Sequence, residues 1–231
     1  MTLREALLIE KGITAIVGGG GKTTLMMRLS KELSSFGSVI VCTTTHILVP
    51  EGIEFYLGAN KETVREALKK QSVISLGERE AETGKLVAPK LSMKTLKEIS
   101  DYVLVEADGS KRLPLKAHAA HEPPIPREVN RILYVVGADG MGKTVREAAH
   151  RPELYAKIIG KSMEDIVTPE DAAFAASTIK NAVAVVNKVE SEQALCDARR
   201  FAKTYEGRVA ICSLKSEQPL IELWENKSRL W

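Results

Sequence analysis

The feature that most constrains the fold is the alternation of short apolar runs with amphipathic stretches along most of the chain. Several runs are continuously apolar and rich in β-branched residues, which is typical of strands buried on both faces of a parallel sheet. The alternation therefore predicts an α/β fold with a mainly parallel sheet, and we expect three layers. The predicted strands are 13–17, 38–43, 54–57, 72–76, 102–106, 131–136, 182–186 and 208–212. The predicted helices are 22–36, 61–70, 91–100, 169–180 and 190–206.

The length of the chain, 231 residues, suits one sizeable hydrophobic core. We expect a single α/β domain over residues 1–231. One long irregular stretch, 107–127, interrupts the alternation, and a loop of that length inside a compact domain is usually functional or mobile. Thr168, followed by Pro169 and Asp171, predicts the N-terminus of a helix.

Charge and composition exclude several classes of function. The net charge of +3 and the lack of a lysine or arginine run argue against nucleic-acid binding. We expect no membrane association, because no run of 18 apolar residues and no signal-peptide pattern is present. The three cysteines, Cys42, Cys196 and Cys212, form no C-x-x-C pair. This cysteine usage predicts a cytoplasmic protein without disulfide bonds.

Two glycine-rich segments compete for the role of a phosphate-binding loop. GADGMGKT at 137–144 matches the consensus G-x-x-x-x-G-K-[ST] at every fixed position, whereas VGGGGKTT at 17–24 has Ile16 in place of the first glycine. A phosphate loop needs a strand, a glycine turn, the lysine and hydroxyl residue, and then an uninterrupted helix. The residues that follow each lysine therefore indicate which of the two segments binds phosphate.

The segment at 17–24 satisfies each of these requirements. A strand precedes it, and the helix after it carries Leu25, Leu29, Leu33 and Phe36 on one face before Gly37. Its shortened loop resembles the G-x-x-G-K-T-T variant of Mur-ligase-type ATP-binding folds. The segment predicts a P-loop NTPase-like fold that binds ATP or GTP with Mg²⁺. The predicted phosphate-binding residues are Gly18, Gly19, Gly20, Gly21, Lys22, Thr23 and Thr24, with Thr23 also a ligand of Mg²⁺.

The segment at 137–144 departs from the requirements after its lysine. Thr144 and Glu147 form the T-x-x-E pattern of a capping box, which engages the hydroxyl with helix backbone. Arg151 and Pro152 then interrupt the helix within about two turns. We expect this second match not to bind phosphate.

Two acidic residues follow a buried strand in YVLVEADGS. An acid at such a strand end commonly holds Mg²⁺ beside a phosphate loop, so Glu106 or Asp108 is predicted as a metal ligand and catalytic residue together with Lys22. The alternative is a simple chain reversal at Asp108 and Gly109.

Threonines and histidines give weaker signals. The hydroxyls of CTTTHI at 42–47 could reach the γ-phosphate or Mg²⁺, or the run could reflect β-propensity alone. His46, His118 and His121 could meet at a metal, but surface or structural roles are the more common use of such residues. Buried structural thiols are expected for Cys42 and Cys212.

The segment NKVE at 187–190 resembles the N-K-x-D motif with which GTPases recognise guanine. Asn187 and Lys188 would frame the base and Glu190 would accept its hydrogen bonds, although glutamate replaces the usual aspartate. CSLK at 212–215 is similar to the S-A-K segment behind the guanine in those proteins. The choice between GTP and ATP stays open.

Together, GGGGKTT, TTTH, LVEADGSKRLPLK, HEPPIP and NKVE resemble the YqeC family over about residues 10–215. Members of this family are described as accessory proteins of selenium-dependent molybdenum hydroxylases. The resemblance implies a role in maturing such a hydroxylase, with the hydroxylase or its cofactor-maturation machinery as partner.

Three functions are compatible with these residues. The first is a Mg²⁺-dependent NTPase that assists assembly of a metal-containing enzyme. The second is a kinase or ATP-dependent ligase, in which Lys111, Arg112 and Lys116 would bind an anionic acceptor. The third is a nucleotide-sensing adaptor with little turnover.

Overall fold

The computed structural model describes residues 1–44, 52–80, 86–119 and 122–226. The helices are α1 (Leu3–Ala6), α2 (Lys22–Leu33), α3 (Lys61–Lys70), α4 (Met93–Ile99), α5 (Val145–Ala148), α6 (Pro152–Ile159), α7 (Pro169–Ala176) and α8 (Glu192–Thr204). The strands are β1 (Gly12–Gly18), β2 (Val39–Thr43), β3 (Phe55–Leu57), β4 (Val73–Arg79), β5 (Leu86–Val87), β6 (Tyr102–Glu106), β7 (Leu115–Lys116), β8 (Val129–Gly137), β9 (Ala149–His150), β10 (Ala182–Asn187), β11 (Arg208–Cys212) and β12 (Leu220–Glu225).

A large, mainly parallel sheet organises the described chain. Its strands lie in the order β12-β11-β10-β8-β1-β6-β2-β4-β3, and β5 pairs with β4 at the side. All pairs are parallel except β11 with β12 and β4 with β5. The predicted α/β architecture with a mainly parallel sheet is confirmed. β1 is central, and the strands that follow it in sequence fall on both sides of it. Such a switch point is where open α/β sheets bind ligands.

Hydrophobic side chains pack on both faces of the sheet, because successive strand residues point to opposite sides. On one face, Ile16 of β1 joins a core with α1 and α2. On the other, Ile13 and Val17 of β1 join a core that includes residues of α3 to α8. This arrangement is consistent with the predicted three layers. None of the described helices combines the length and the apolar character that crossing a membrane requires.

Helix α2 is shorter than predicted. It ends at Leu33 rather than at residue 36, and Ser34 to Phe36 continue as a turn. Leu25, Leu29 and Leu33 are fully buried, but Phe36 is 48% exposed and lies under the guanidinium of Arg4. The prediction that Phe36 belongs to the buried helix face was wrong, because the chain leaves the helix before that turn is complete.

The helix signals at the two prolines are explained by local backbone geometry. Thr168 caps α7 in a capping box with Asp171, and Pro169 occupies the first helical position, as predicted. Pro152 likewise separates α5 from the chain that follows, but it also begins a new helix, α6, that the sequence analysis did not predict. Proline suits a first helical turn because its missing N–H would have no partner there.

Candidate functional site

The candidate site lies where parallel strands end at one edge of the sheet. Gly18 of β1, Glu106 of β6 and Gly137 of β8 end adjacent strands, and Asn187 ends the next strand, β10. Parallel pairing places their carboxyl ends together. The structure thereby brings together the segments that the sequence analysis singled out at 17–24, 106–108, 137–144 and 187–190.

The glycine loop, residues 18–21, is closely packed by the chain around it. Gly18, Gly20 and Gly21 have φ angles of 99°, 73° and 126°, a region that side chains disfavour. A Cβ atom at Gly20 would lie 2.2 Å from the backbone nitrogen of Gly137. The loop therefore requires glycine for both its conformation and its close contacts.

Three backbone amides of this loop bind acceptors within the protein. Gly18 donates to Asp108 Oδ2 at 2.9 Å, Gly19 to the carbonyl of Val135 at 2.9 Å, and Gly20 to that of Leu113 at 3.1 Å. The first turn of α2, in contrast, begins at Lys22 with no side-chain cap. An uncapped helix N-terminus can donate its amides to an anion.

Lys22 is buried inside the loop that it follows. Its Nζ donates to the carbonyl oxygen of Gly18 at 2.8 Å and lies 3.2 Å from Asp108 Oδ1 and 3.8 Å from Glu106 Oε1. Its side chain is 3% exposed. The two carboxylates compensate a lysine charge that burial alone would disfavour.

Glu106 and Thr23 form a direct pair at the start of α2. Thr23 Oγ1 donates to Glu106 Oε2 at 2.8 Å. Burial raises the pKa of Glu106 and Asp108 adds to the rise, while Lys22 and Thr23 oppose it. A hydroxyl and a buried carboxylate are oxygen donors of the kind that Mg²⁺ binds. Within the described ranges, no group of three or more histidine, cysteine, aspartate or glutamate side chains is arranged to hold a metal ion.

Asp108 has different surroundings from Glu106. Its Oδ2 accepts from Gly18 and lies 2.5 Å from His118 Nε2 and 3.5 Å from Lys116 Nζ. Burial is the largest influence and opposes ionisation, but the contacts with His118, Lys22 and Lys116 together outweigh it and lower the pKa of Asp108. Asp108 thus joins the glycine loop to the segment after β6.

That segment and the residues at β9 share a polar network, which we call the 116–151 network. It consists of Lys116, His118, Glu122, His150 and Arg151. Lys116 Nζ donates to the carbonyl of Gly109 at 2.7 Å and lies 3.7 Å from Glu122, and Glu122 pairs with Arg151 at 2.8 Å. Lys116 and His150 are partners in the short β7–β9 ladder.

Most of this network is not predicted from the sequence. The sequence offers Lys116 and His118 as candidate functional residues and Arg151 only as a helix break, and no functional role is predicted for Glu122 or His150. Lys116 is 1% exposed and engaged internally, whereas Lys111 and Arg112 are exposed. The only sequence signal was the unusual length of the 107–127 loop, which is irregular apart from β7 in its described residues.

The second glycine segment, residues 137–144, packs against the glycine loop and leads into a short helix. Thr144 and Glu147 form the predicted capping box, and α5 ends at Ala148. Gly137 approaches Gly20, and Gly140 packs on Pro114 and Leu115. Lys143 is exposed. Residues 137–144 thus pack against the glycine loop, and Thr144 caps the start of the short helix α5.

The NKVE segment is joined to the glycine loop through one side chain. Asn187 Nδ2 donates to the carbonyl of Gly20 at 2.8 Å, and its Oδ1 accepts from the amide of Leu214 at 3.0 Å. Lys188 pairs with Asp139 at 2.8 Å, and Glu190 is exposed. Asn187 therefore links NKVE, CSLK and the glycine loop.

The remaining candidates have limited roles in the described structure. Thr43 Oγ1 donates to the backbone carbonyl of Glu106 at 2.8 Å. Thr45, His46 and His121 lie outside the described residues. Cys42 and Cys212 are buried, as expected, and burial raises the pKa of each thiol to about 12.

Comparison with known proteins assigns the chain to a family. The family model described as YqeC protein matches residues 14–153, which include the glycine loop, Glu106, Asp108 and the 116–151 network. The chain belongs to the YqeC family. It is similar to the uncharacterized protein YqeC of Escherichia coli (strain K12), with 31% identity over 169 residues. This alignment covers 68% of the present chain and 66% of the relative, slightly less than two thirds of its length. No solved structure matches the chain.

Proposed function

We propose that this YqeC-family chain is a Mg²⁺-dependent nucleotide-binding protein of the P-loop NTPase type. The observation that carries the proposal is the pairing of Thr23 with Glu106 at the start of α2, directly beside Lys22. A phosphate chain would take the uncapped amides of α2 and the charge of Lys22. These are the elements by which P-loop proteins bind a triphosphate.

Glu106 and Thr23 would hold Mg²⁺, which would neutralise phosphate charge when bound. Their fit follows from chemistry: both offer oxygen atoms, and Glu106 is a buried carboxylate whose nearest cation, Lys22, is 3.8 Å away. Asp108 fits less well as a ligand, since Gly18, His118 and Lys22 already surround it. In this proposal, Asp108 positions the glycine loop and Lys22.

The biological role that we propose is NTP hydrolysis during maturation of a selenium-dependent molybdenum hydroxylase, in the cytoplasm. Family membership supports the hydroxylase role, and the unpaired cysteines support the location. The partner would be the hydroxylase or its cofactor-maturation machinery.

A kinase or ATP-dependent ligase is the second candidate. It is favoured by Lys111 and Arg112, two exposed cations with φ angles of 50° and 64° in the turn that precedes Leu113. The carbonyl of Leu113 accepts from the amide of Gly20, so the two cations lie beside the glycine loop.

Turnover separates the candidate functions. A kinase or ligase would turn over only with its acceptor, whereas an NTPase would need only its protein partner. A nucleotide-sensing adaptor would bind nucleotide and show almost no hydrolysis in either case.

Substitution of the two competing lysines tests nucleotide binding. We expect Lys22→Ala to abolish binding of ATP and GTP, a loss on the order of 100-fold or more, because charge-assisted contacts to the phosphates disappear. Lys143→Ala should bind like the wild type, since Lys143 is exposed on the second glycine segment. Isothermal titration with each nucleotide and Mg²⁺ measures both variants. Equal loss in the two variants, or no binding by the wild type, would reject the proposed site.

A further inference from the structure

The 116–151 network contains a concentration of buried polar atoms without hydrogen-bond partners. In the part of the chain that the structure describes, these atoms include His118 Nδ1, Glu122 Oε2, His150 Nδ1 and Arg151 Nε. Buried polar atoms in proteins nearly always have a partner. Four such atoms in one connected network indicate that the site is completed by something other than the protein itself.

Three of these side chains, those of His118, Glu122 and Arg151, are connected through Asp108 and Lys116, and His150 is the strand partner of Lys116. His118 binds Asp108, and Asp108 lies 3.5 Å from Lys116 Nζ. Lys116 in turn lies 3.7 Å from Glu122, which pairs with Arg151. The ring of His118 is 4% exposed, whereas the side chain of Arg151 is 38% exposed. The network therefore runs from a buried end at His118, which contacts Asp108, to an accessible end at Arg151.

The charge of this region favours an anion. Lys111, Lys116 and Arg151 supply three positive charges, while Asp108 and Glu122 supply two negative ones. The pKa of His150 is lowered by burial first, and then by the charges of Lys116, Arg151 and Lys111. The charge of Glu122 opposes this lowering of the pKa, but the three cations outweigh it.

The unpaired atoms also specify the ligand's hydrogen-bonding pattern. Arg151 Nε can only donate and Glu122 Oε2 can accept. His118 Nδ1 is a further atom without a partner, and whether it donates or accepts depends on which ring nitrogen carries the proton. A ligand that satisfies these atoms carries both anionic oxygens and at least one hydroxyl hydrogen, as hydrogen phosphate does.

The backbone at the accessible end supports a binding role. Arg151 has φ 65° and ψ 62°, and Lys111 has φ 50°. Residues other than glycine adopt this left-handed region at an energetic cost and tend to do so at functional sites. Both residues are cations whose charges act on His150.

We propose that the 116–151 network binds a small oxyanion that carries a hydroxyl hydrogen, of the hydrogen phosphate class, beside the glycine loop. Arg151, His150 and Lys111 hold its charged oxygens, and Glu122 accepts its hydrogen. Asp108 connects this site to Gly18 and Lys22. Its use as a second substrate rests on the proposed nucleotide function, but the binding itself does not.

Titration of nucleotide-free protein with inorganic phosphate tests the site. We expect Arg151→Met to weaken phosphate binding at least tenfold. Arg146→Met is the matched control, because Arg146 is an exposed arginine paired with Glu164 outside the network, and it should bind phosphate within twofold of the wild type. Arg151→Gly should fold, because glycine tolerates φ 65°, and it should show the same loss as Arg151→Met.

A further arm separates this site from the glycine loop, which could itself bind phosphate. A saturating non-hydrolysable ATP analogue with Mg²⁺ occupies the γ-phosphate position of the loop as well, and it should not displace the phosphate from the wild type. Methyl phosphate tests the need for a hydroxyl hydrogen, because above its second pKa of about 6 its dianion lacks the hydrogen that hydrogen phosphate keeps. We expect it not to compete with phosphate at about pH 8, and competition at that pH would contradict the proposed acceptor role of Glu122.

Any one of three results would overturn the proposal. They are the absence of measurable phosphate binding by the wild type, equal phosphate affinity in wild type and both Arg151 variants, or displacement of the phosphate by the non-hydrolysable ATP analogue. Failure of the nucleotide proposal would appear separately, as an absence of ATP and GTP binding, and would leave the phosphate titration interpretable.

Discussion

At the scale of single residues, Asp108 balances the buried charges of the site. Its carboxylate lies 3.2 Å from Lys22 Nζ and 3.5 Å from Lys116 Nζ, and all three side chains are at most 3% exposed. Removing one partner of a buried ion pair costs about 3–5 kcal/mol, because the remaining charge is uncompensated. We expect Asp108→Asn to lower the free energy of unfolding by roughly this amount, measured by urea denaturation.

The control for this prediction is Asp139→Asn. Asp139 pairs with Lys188 at 2.8 Å, but the two side chains are 40% and 37% exposed. Exposed pairs contribute about 0–1 kcal/mol, so this variant should lose less than about 1 kcal/mol. Similar losses in the two variants would contradict the role of Asp108 in compensating buried charge.

Acid denaturation gives a second measurement on the same proteins. The pKa of Asp108 is lowered in the folded state: burial opposes the shift, but His118, Lys22 and Lys116 outweigh it. The ionised carboxylate therefore contributes stability that is present above the unfolded pKa of about 3.9 and is lost as pH falls through the folded pKa. Below about pH 4, the wild type should therefore lose more stability than Asp108→Asn.

At the scale of elements, the glycine loop is held by the end of β8 as well as by its own sequence. Gly20 and Gly142 have similar φ angles of 73° and 83°. A Cβ at Gly20 would lie 2.2 Å from the nitrogen of Gly137, whereas a Cβ at Gly142 meets nothing within 4 Å. Alanine substitution at these two positions therefore separates the cost of backbone strain, which both share, from the cost of the close contact at Gly20.

We expect Gly142→Ala to cost only the strain of a left-handed alanine, about 1–3 kcal/mol. Gly20→Ala should cost about 1–3 kcal/mol more, because the backbone of the loop or of β8 must move. It should also weaken nucleotide binding, which Gly142→Ala should leave unchanged. Urea denaturation and nucleotide titration measure the two effects. Equal destabilisation would show that the contact with Gly137 is not a constraint.

The elements that sequence analysis located well are those with continuous apolar runs. Strands β6 and β11 have the predicted bounds, because runs such as YVLVE and RVAIC fit a doubly buried strand. Strand β12 was missed. LIELWE is mostly half-exposed and pairs antiparallel with β11 at the sheet edge, so its strand conformation depends on a tertiary contact rather than on its own pattern.

In the candidate site, too, some contacts could be predicted from the sequence and others depend on tertiary structure. That Lys22, Thr23 and Glu106 would meet was predictable, because parallel strand ends share one edge of the sheet. The pairing of Glu122 with Arg151 was not, because it depends on the two-residue ladder between β7 and β9. An ion pair between residues 29 positions apart leaves no periodic pattern in the sequence.

At the scale of the whole molecule, the central position of β1 makes its loop the meeting point of both halves of the sheet. β6 brings Glu106 from one side, while β8 and β10 bring Gly137 and Asn187 from the other. Asn187 reaches across the end of β8 to the carbonyl of Gly20 and also fixes the turn after β11 through Leu214. One amide thus connects the phosphate-binding side of the proposed site to its proposed base-binding side.

Asn187 and Glu190 should therefore differ in their effects on nucleotide binding. Asn187→Asp keeps an acceptor for Leu214 but replaces the donor to Gly20 with an oxygen. A buried carbonyl without its donor costs about 1–3 kcal/mol, so stability should fall by this amount and affinity for both ATP and GTP should fall together.

Glu190 is exposed, so Glu190→Gln should leave stability unchanged. If Glu190 recognises guanine, that variant should weaken GTP alone, by roughly five- to 150-fold. Isothermal titration of both nucleotides against the wild type and the two variants measures these effects. A wild type that prefers ATP would reject guanine recognition, and a loss confined to GTP in Asn187→Asp would reject the structural link to the glycine loop.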